Sequence, residues 1–74
     1  MNRALRPVVA TASGTVTRID ARAGKRVNAQ DPVITLEVVE SELTVDAPRA
    51  GLVSEVRVEP GQYVSEGDIV ALIE

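Results

Sequence analysis

Two stretches of the chain carry the same order of apolar and polar positions. Residues 14–37 read GTVTRIDARAGKRVNAQDPVITLE, and residues 51–74 read GLVSEVRVEPGQYVSEGDIVALIE. They align without a gap at an offset of 37, Gly14 falling on Gly51 and Glu37 on Glu74. Seven of the 24 positions are identical, and most others are similar, such as Ile19 with Val56 and Leu36 with Ile73. Each copy reads as a strand, a Gly turn, a short strand, a polar turn and a strand. Gly24 and Gly61 stand where a turn calls for positive φ. Asp31 and Asp68 stand in the second turn, where a short carboxylate accepts backbone N–H bonds. Alternation breaks at one place in both copies, Val16 to Ile19 and Val53 to Val56, which predicts a bulge near Thr17–Arg18 and Ser54–Glu55.

The segment between the copies, Ile34 to Ala47, alternates with a strand period and folds back on itself. With the turn set at Glu40–Ser41, Val38 faces Leu43 and Leu36 faces Val45, while Glu37 meets Thr44 and Thr35 meets Asp46. One face is then apolar and the other polar, and no slip by one residue preserves that separation. The tip is the weak point. A two-residue hairpin turn of the favoured kind needs positive φ at both positions, which suits Asn-Gly and does not suit Glu-Ser. By the same offset, Leu5–Val9 is expected to pair as Glu42–Asp46 does, which brings the two ends of the chain together opposite Glu40. The expected fold is all-β: a flattened antiparallel barrel or sandwich of about eight short strands with internal pseudo-twofold symmetry. A single domain covers residues 1–74, with repeat halves 14–37 and 51–74 and the hairpin 34–47 between them.

Composition supports strands. The chain has 74 residues, with thirteen Val, four Ile and five Thr, all stiff at χ1. It also removes several kinds of chemistry. There is no His and no Cys, so the commonest general base, thiolate nucleophile and zinc ligands are missing. No Gly-rich phosphate loop occurs, and an enzyme is not expected. The net charge is −3 and Tyr63 is the single aromatic, which argues against a nucleic-acid partner. No apolar run approaches the ~20 residues of a membrane span, and no leader pattern opens the chain. A cytoplasmic location follows as the expectation.

The residues as a set resemble the biotinyl/lipoyl attachment domain family, closest to the short biotin carboxyl carrier proteins of acyl-CoA carboxylases. The resemblance runs from Gly14 to Glu74. Gly14 to Val16, Gly24 to Val27, Gly67–Asp68, and Ala47, Pro48, Gly51 and Val53 match the family's recurrent elements. The family hairpin L-E-A/S-M-K-M-E-x-x-V-x-A-P is matched at Leu36, Glu37, Glu42, Val45, Ala47 and Pro48. Its Met-Lys-Met centre becomes Val39, Glu40 and Ser41.

The resemblance therefore implies that Glu40 occupies the position of the modified lysine, flanked by Val39 and Ser41. An amide to biotin or lipoate needs an amine nucleophile, which a glutamate lacks, so no covalent cofactor is expected. The sole lysine, Lys25, lies in the first repeat's Gly turn and reads as a solvated turn residue. The implied role is an unmodified protein-interaction module whose partners are subunits of a biotin-dependent carboxylase or a biotin ligase. Two alternatives stay open: a genuine carrier with an atypical attachment site, and a purely structural lipoyl-like domain.

Overall fold

The computed structural model describes residues 4–74, and among them no helix forms. Eight strands follow one another: β1 (Arg6–Val9), β2 (Gly14–Ile19), β3 (Arg26–Val27), β4 (Pro32–Val38), β5 (Ser41–Asp46), β6 (Gly51–Val56), β7 (Tyr63–Val64) and β8 (Ile69–Ile73). They build two four-stranded antiparallel sheets, in the orders β1-β8-β6-β3 and β5-β4-β2-β7.

The duplication in the sequence is a duplication of hydrogen-bond register. Arg6 pairs with Ile73 and Val8 with Ala71. Leu43 pairs with Leu36 and Val45 with Ile34. The second set is the first displaced by the repeat offset, and Arg6–Val9 does take the place that Leu43–Asp46 takes in the other sheet. Both expected bulges fall where alternation breaks, between Val16 and Arg18 against β4 and between Val53 and Glu55 against β8, and the ladders shift register at two further places, Val8/Val9 and Pro32/Ile34. An extra residue there bends and twists the long strand, so each sheet curls over the core rather than lying flat.

The apolar positions of both copies meet inside. Val16, Ile34, Leu36 and Val45 from the first half pack with Val8, Val53, Val70 and Ile73 from the second, all essentially solvent-free. Backbone turns match as well. Gly24 and Gly61 have φ of 95° and 92°. The Asp31 carboxylate accepts the Asn28 N–H and the Asp68 carboxylate accepts the Ser65 N–H, each at 2.8 Å. Where the second copy turns on Gly67 (φ 96°), the first forces Gln30 to φ 72°.

Gly14 and Gly51 answer a different need. A Cβ at Gly14 would fall on the Glu37 carbonyl oxygen and against the Val38 side chain, and one at Gly51 on the Glu74 carbonyl and Ile73. The first strand of each half thus lies so close to the last strand that only hydrogen fits between them.

One expectation is corrected. The hairpin turns at Val39–Glu40 rather than Glu40–Ser41, so Val38 pairs with Ser41, Glu37 with Glu42 and Leu36 with Leu43. The change of register is two residues, which leaves every side chain on its face. Turn geometry decides between the two. Glu40 takes φ 61° while Val39 stays out of the positive-φ region. One non-glycine residue is left-handed instead of two, saving about 1–2 kcal/mol of backbone strain. In exchange, two carboxylates, Glu37 and Glu42, stand directly opposite each other, a pairing that weakens a ladder by a few tenths of a kcal/mol (about 0.2–1).

The first and last strands meet across the β1–β8 ladder, where Arg6 pairs with Ile73; the expected meeting of the N-terminus itself lies outside the described residues. Pro48–Ala50, which follow β5, share a depression with Arg6 and Pro7. The hairpin tip precedes β5 and these residues follow it, so the tip lies at the opposite end of the molecule from Arg6 and Ile73. Among the described residues no helix is long and apolar enough to cross a membrane.

Candidate functional site

β4 and β5 project Val39, Glu40 and Ser41 as the terminal feature of the hairpin. Val39 is 91% exposed, the most open large apolar side chain among the described residues. Glu40 is exposed beside it, and Ser41 is the first residue of β5, paired with Val38. The structure thus joins the three residues marked by the sequence in one exposed tip, with Glu40 at the second turn position.

The base of the hairpin is rigid. Gly14 lets β2 press against Glu37 and Val38, and Leu36, Ile34 and Val45 anchor both arms in the core. Beside it the second Gly turn docks on β2, the Gly61 N–H donating to the Val16 carbonyl at 2.7 Å. Lys25 lies elsewhere. Its turn docks on β6, the Gly24 N–H donating to the Val53 carbonyl at 2.8 Å, near the chain ends. The tip offers a carboxylate and a hydroxyl, and no amine.

A polar network on the outer face of the same sheet was not singled out by the sequence. Thr35 is buried, and its Oγ1 donates to Asp20 Oδ2 at 2.7 Å while accepting from an Arg18 guanidinium N–H at 3.1 Å. Arg18 Nε donates to Asp20 Oδ1 at 2.7 Å. Bonding to Asp20, then its charge, with Glu42 adding a weaker attraction, holds the Arg18 guanidinium pKa above its ordinary value. The second half keeps the pair with charges exchanged, Arg57 Nε to Glu55 Oε2 at 3.0 Å, and has Leu72 where the first has Thr35. That exchange is visible in the aligned repeats and was the available signal.

A depression of about 490 Å³ straddles the pseudo-twofold axis, its walls made of equivalent pairs such as Ile19 with Val56 and Arg22 with Glu59. It includes none of the tip residues. Among the described residues no three His, Cys, Asp or Glu side chains gather as a metal site.

With this geometry in view, comparison with known proteins is decisive. The family model described as "Biotin-requiring enzyme", the biotin/lipoyl model, matches residues 7–73. The chain belongs to the biotin/lipoyl attachment family. This biotin/lipoyl domain is 37% identical over 59 residues to the dihydrolipoyllysine-residue acetyltransferase component of the pyruvate dehydrogenase complex of Cupriavidus necator, covering 80% of the chain and 11% of the relative. It is 31% identical over 58 residues to the biotin/lipoyl attachment protein of Bacillus subtilis, covering 78% of the chain and 80% of the relative. Among solved structures it superposes on the urea carboxylase of Kluyveromyces lactis with a TM-score of 0.92 at 28% identity, covering 100% of the chain and 6% of that enzyme. The chain therefore spans most of one small relative and a minor part of the large ones. Domains of this family are carriers and hold no catalytic machinery of their own.

Proposed function

We propose that this is a biotin/lipoyl domain that carries no cofactor, Glu40 standing at the attachment position, and that it acts as a protein-interaction module. The supporting observation is the tip itself. The hairpin is built and braced as a presenting arm, yet the residue it presents is a carboxylate. A group attached through a lysine amide does not fit it, because the attack on an activated acid needs an amine lone pair. Lys25 is presented by no hairpin and lies at the far end. A non-catalytic role accords with this reading, since the tip brings Glu40 and Ser41 together with no His or Cys beside them.

The large carboxylase relatives suggest the class of partner. The domain docks on a biotin-dependent carboxylase or on the ligase that serves one, reading the hairpin arm rather than a cofactor. Its setting is the cytoplasm, where such enzymes meet it.

Intact-mass measurement after co-expression with active biotin and lipoate ligases tests the proposal. The expected result is the unmodified mass. An added biotinyl or lipoyl mass, mapped to Lys25 or to the N-terminal amine, would overturn it in favour of an atypical attachment site.

A further inference from the structure

At the end of the molecule away from the hairpin tip, the segment after β5 lies beside the start of β1. Pro48, Arg49 and Ala50 on one side and Arg6 and Pro7 on the other line a depression of about 660 Å³. All five residues are exposed. Arg6 opens β1 and is held in register against Ile73. Arg49 stands in the short connection between β5 and β6, directly after Pro48, whose ring fixes the local backbone. No carboxylate lines the depression, and among the described residues neither arginine belongs to an ion pair. Two uncompensated cations thus share one concavity in a chain of net charge −3. The repeat supplies a comparison. Displaced by the repeat offset, Arg6 becomes Leu43 and Arg49 becomes Ala12, so the equivalent place beside the hairpin has neither cation. The fold itself does not require arginine at these positions.

We propose that this depression binds a small organic phosphate monoester, its phosphoryl group between Arg6 and Arg49 and its organic body against Pro7, Pro48 and Ala50. Charge selects the group. A guanidinium presents a planar fork that meets two oxygens of an oxyanion at once. A carboxylate has one such edge and a single charge, enough for one fork. A phosphoryl group has three acceptor oxygens and about −1.5 to −2 charge at neutral pH, which matches two forks brought in from separate elements. The walls select the rest. Proline has no N–H, so Pro7 and Pro48 turn ring carbons toward the ligand and add no backbone donor. Sites of about 300–1,000 Å³ take small organic molecules, and a bare phosphate would leave most of this one to water. Both cations are exposed and screened by salt, so the expected dissociation constant is about 1 mM at low ionic strength. The site lies at the other end of the molecule from Glu40, so its occupation does not depend on what the tip carries.

Titration of the isotope-labelled chain with phenyl phosphate at low salt, followed by amide shifts, tests this. Saturating shifts should centre on Arg6, Arg49 and Ala50. Arg6→Gln and Arg49→Gln should each weaken binding at least about fivefold; both side chains are exposed, so the fold is retained, as amide shift dispersion will report. Arg22→Gln removes the same charge from a different depression and should leave the affinity within about twofold, because exposed charges act only over a Debye length. From about pH 5 to about pH 7.5 binding should tighten at least about threefold, as the ester loses its second proton near pH 6 while guanidinium groups keep their charge. Shifts that fail to saturate by about 20 mM, benzoate binding as tightly as phenyl phosphate, or an Arg22→Gln loss as large as that of Arg49→Gln would each overturn the proposal.

Discussion

Thr35→Val isolates the buried hydroxyl that links β4 to β2. Valine keeps the shape and the strand preference of threonine, so neither a cavity nor a propensity change follows. What is lost is the Thr35 Oγ1 bond to Asp20 Oδ2, 2.7 Å long, and the 3.1 Å bond from Arg18. A hydrogen bond to a charged group contributes about 1.5–3 kcal/mol. Asp20 is only 14% exposed, so water replaces the lost donor incompletely, whereas Arg18 is 65% exposed and solvates freely. The Asp20 bond then dominates, and the expected loss is about 1.5–2 kcal/mol. For a domain of this size that lowers Tm by roughly 10 °C. Urea titration followed by far-UV circular dichroism should show a lower midpoint with an unchanged m-value. In an Asp20→Ala background the same substitution should be milder by about 1 kcal/mol or more. A loss below about 0.5 kcal/mol, or an equal loss in both backgrounds, would refute the claim that this network braces the hairpin sheet.

The remaining predictions concern backbone and tip. Gly14→Ala should destabilise by about 2 kcal/mol or more in chemical denaturation, since its Cβ meets the Glu37 carbonyl; Gly24→Ala, which faces open space at φ 95°, should lose only the backbone strain, about 1–2 kcal/mol. Gln30→Gly should raise stability by about 0.5–1 kcal/mol by thermal melt, because its left-handed φ of 72° suits the glycine that the second half already has. Glu40→Lys should restore slow biotinylation by a biotin ligase, read by intact mass. The triple change Val39→Met, Glu40→Lys, Ser41→Met should be modified faster, with stability shifted by under about 0.5 kcal/mol, as these are exposed positions. A folded triple variant that no ligase modifies would show that the arm has lost its recognition surface.

The repeat made most of the architecture legible. Apolar spacing, Gly turns and Asp turns recur together, so the two ladders, both bulges and the pairing of β1 with β8 could be read from one alignment. The exact hairpin register could not. A slip of two residues leaves every side chain on its own face, so the apolar pattern is blind to it, and neither Val-Glu nor Glu-Ser is a favoured turn pair. The strain of a left-handed residue decided the matter, and that depends on backbone geometry. The same blindness hid Thr35. Alternation assigns it to the polar face, which reads as solvent, whereas Arg18 and Asp20 fold over it and bury it. Within the tip, Val39, Glu40 and Ser41 were found because a family pattern surrounds them; their exposure and the handedness of Glu40 came only with coordinates.

The adjacency of the first and last strands has a mechanical consequence. Arg6 and Ile73 sit side by side at one end of an antiparallel ladder. Tension applied through those two points loads that ladder in the unzipping direction, one pair of hydrogen bonds at a time, rather than in shear across all of them at once. Such a geometry resists little force. Pulled from both ends, the domain should peel open from β1 and β8 first, and the hairpin arm at the far end should be the last element to feel the load.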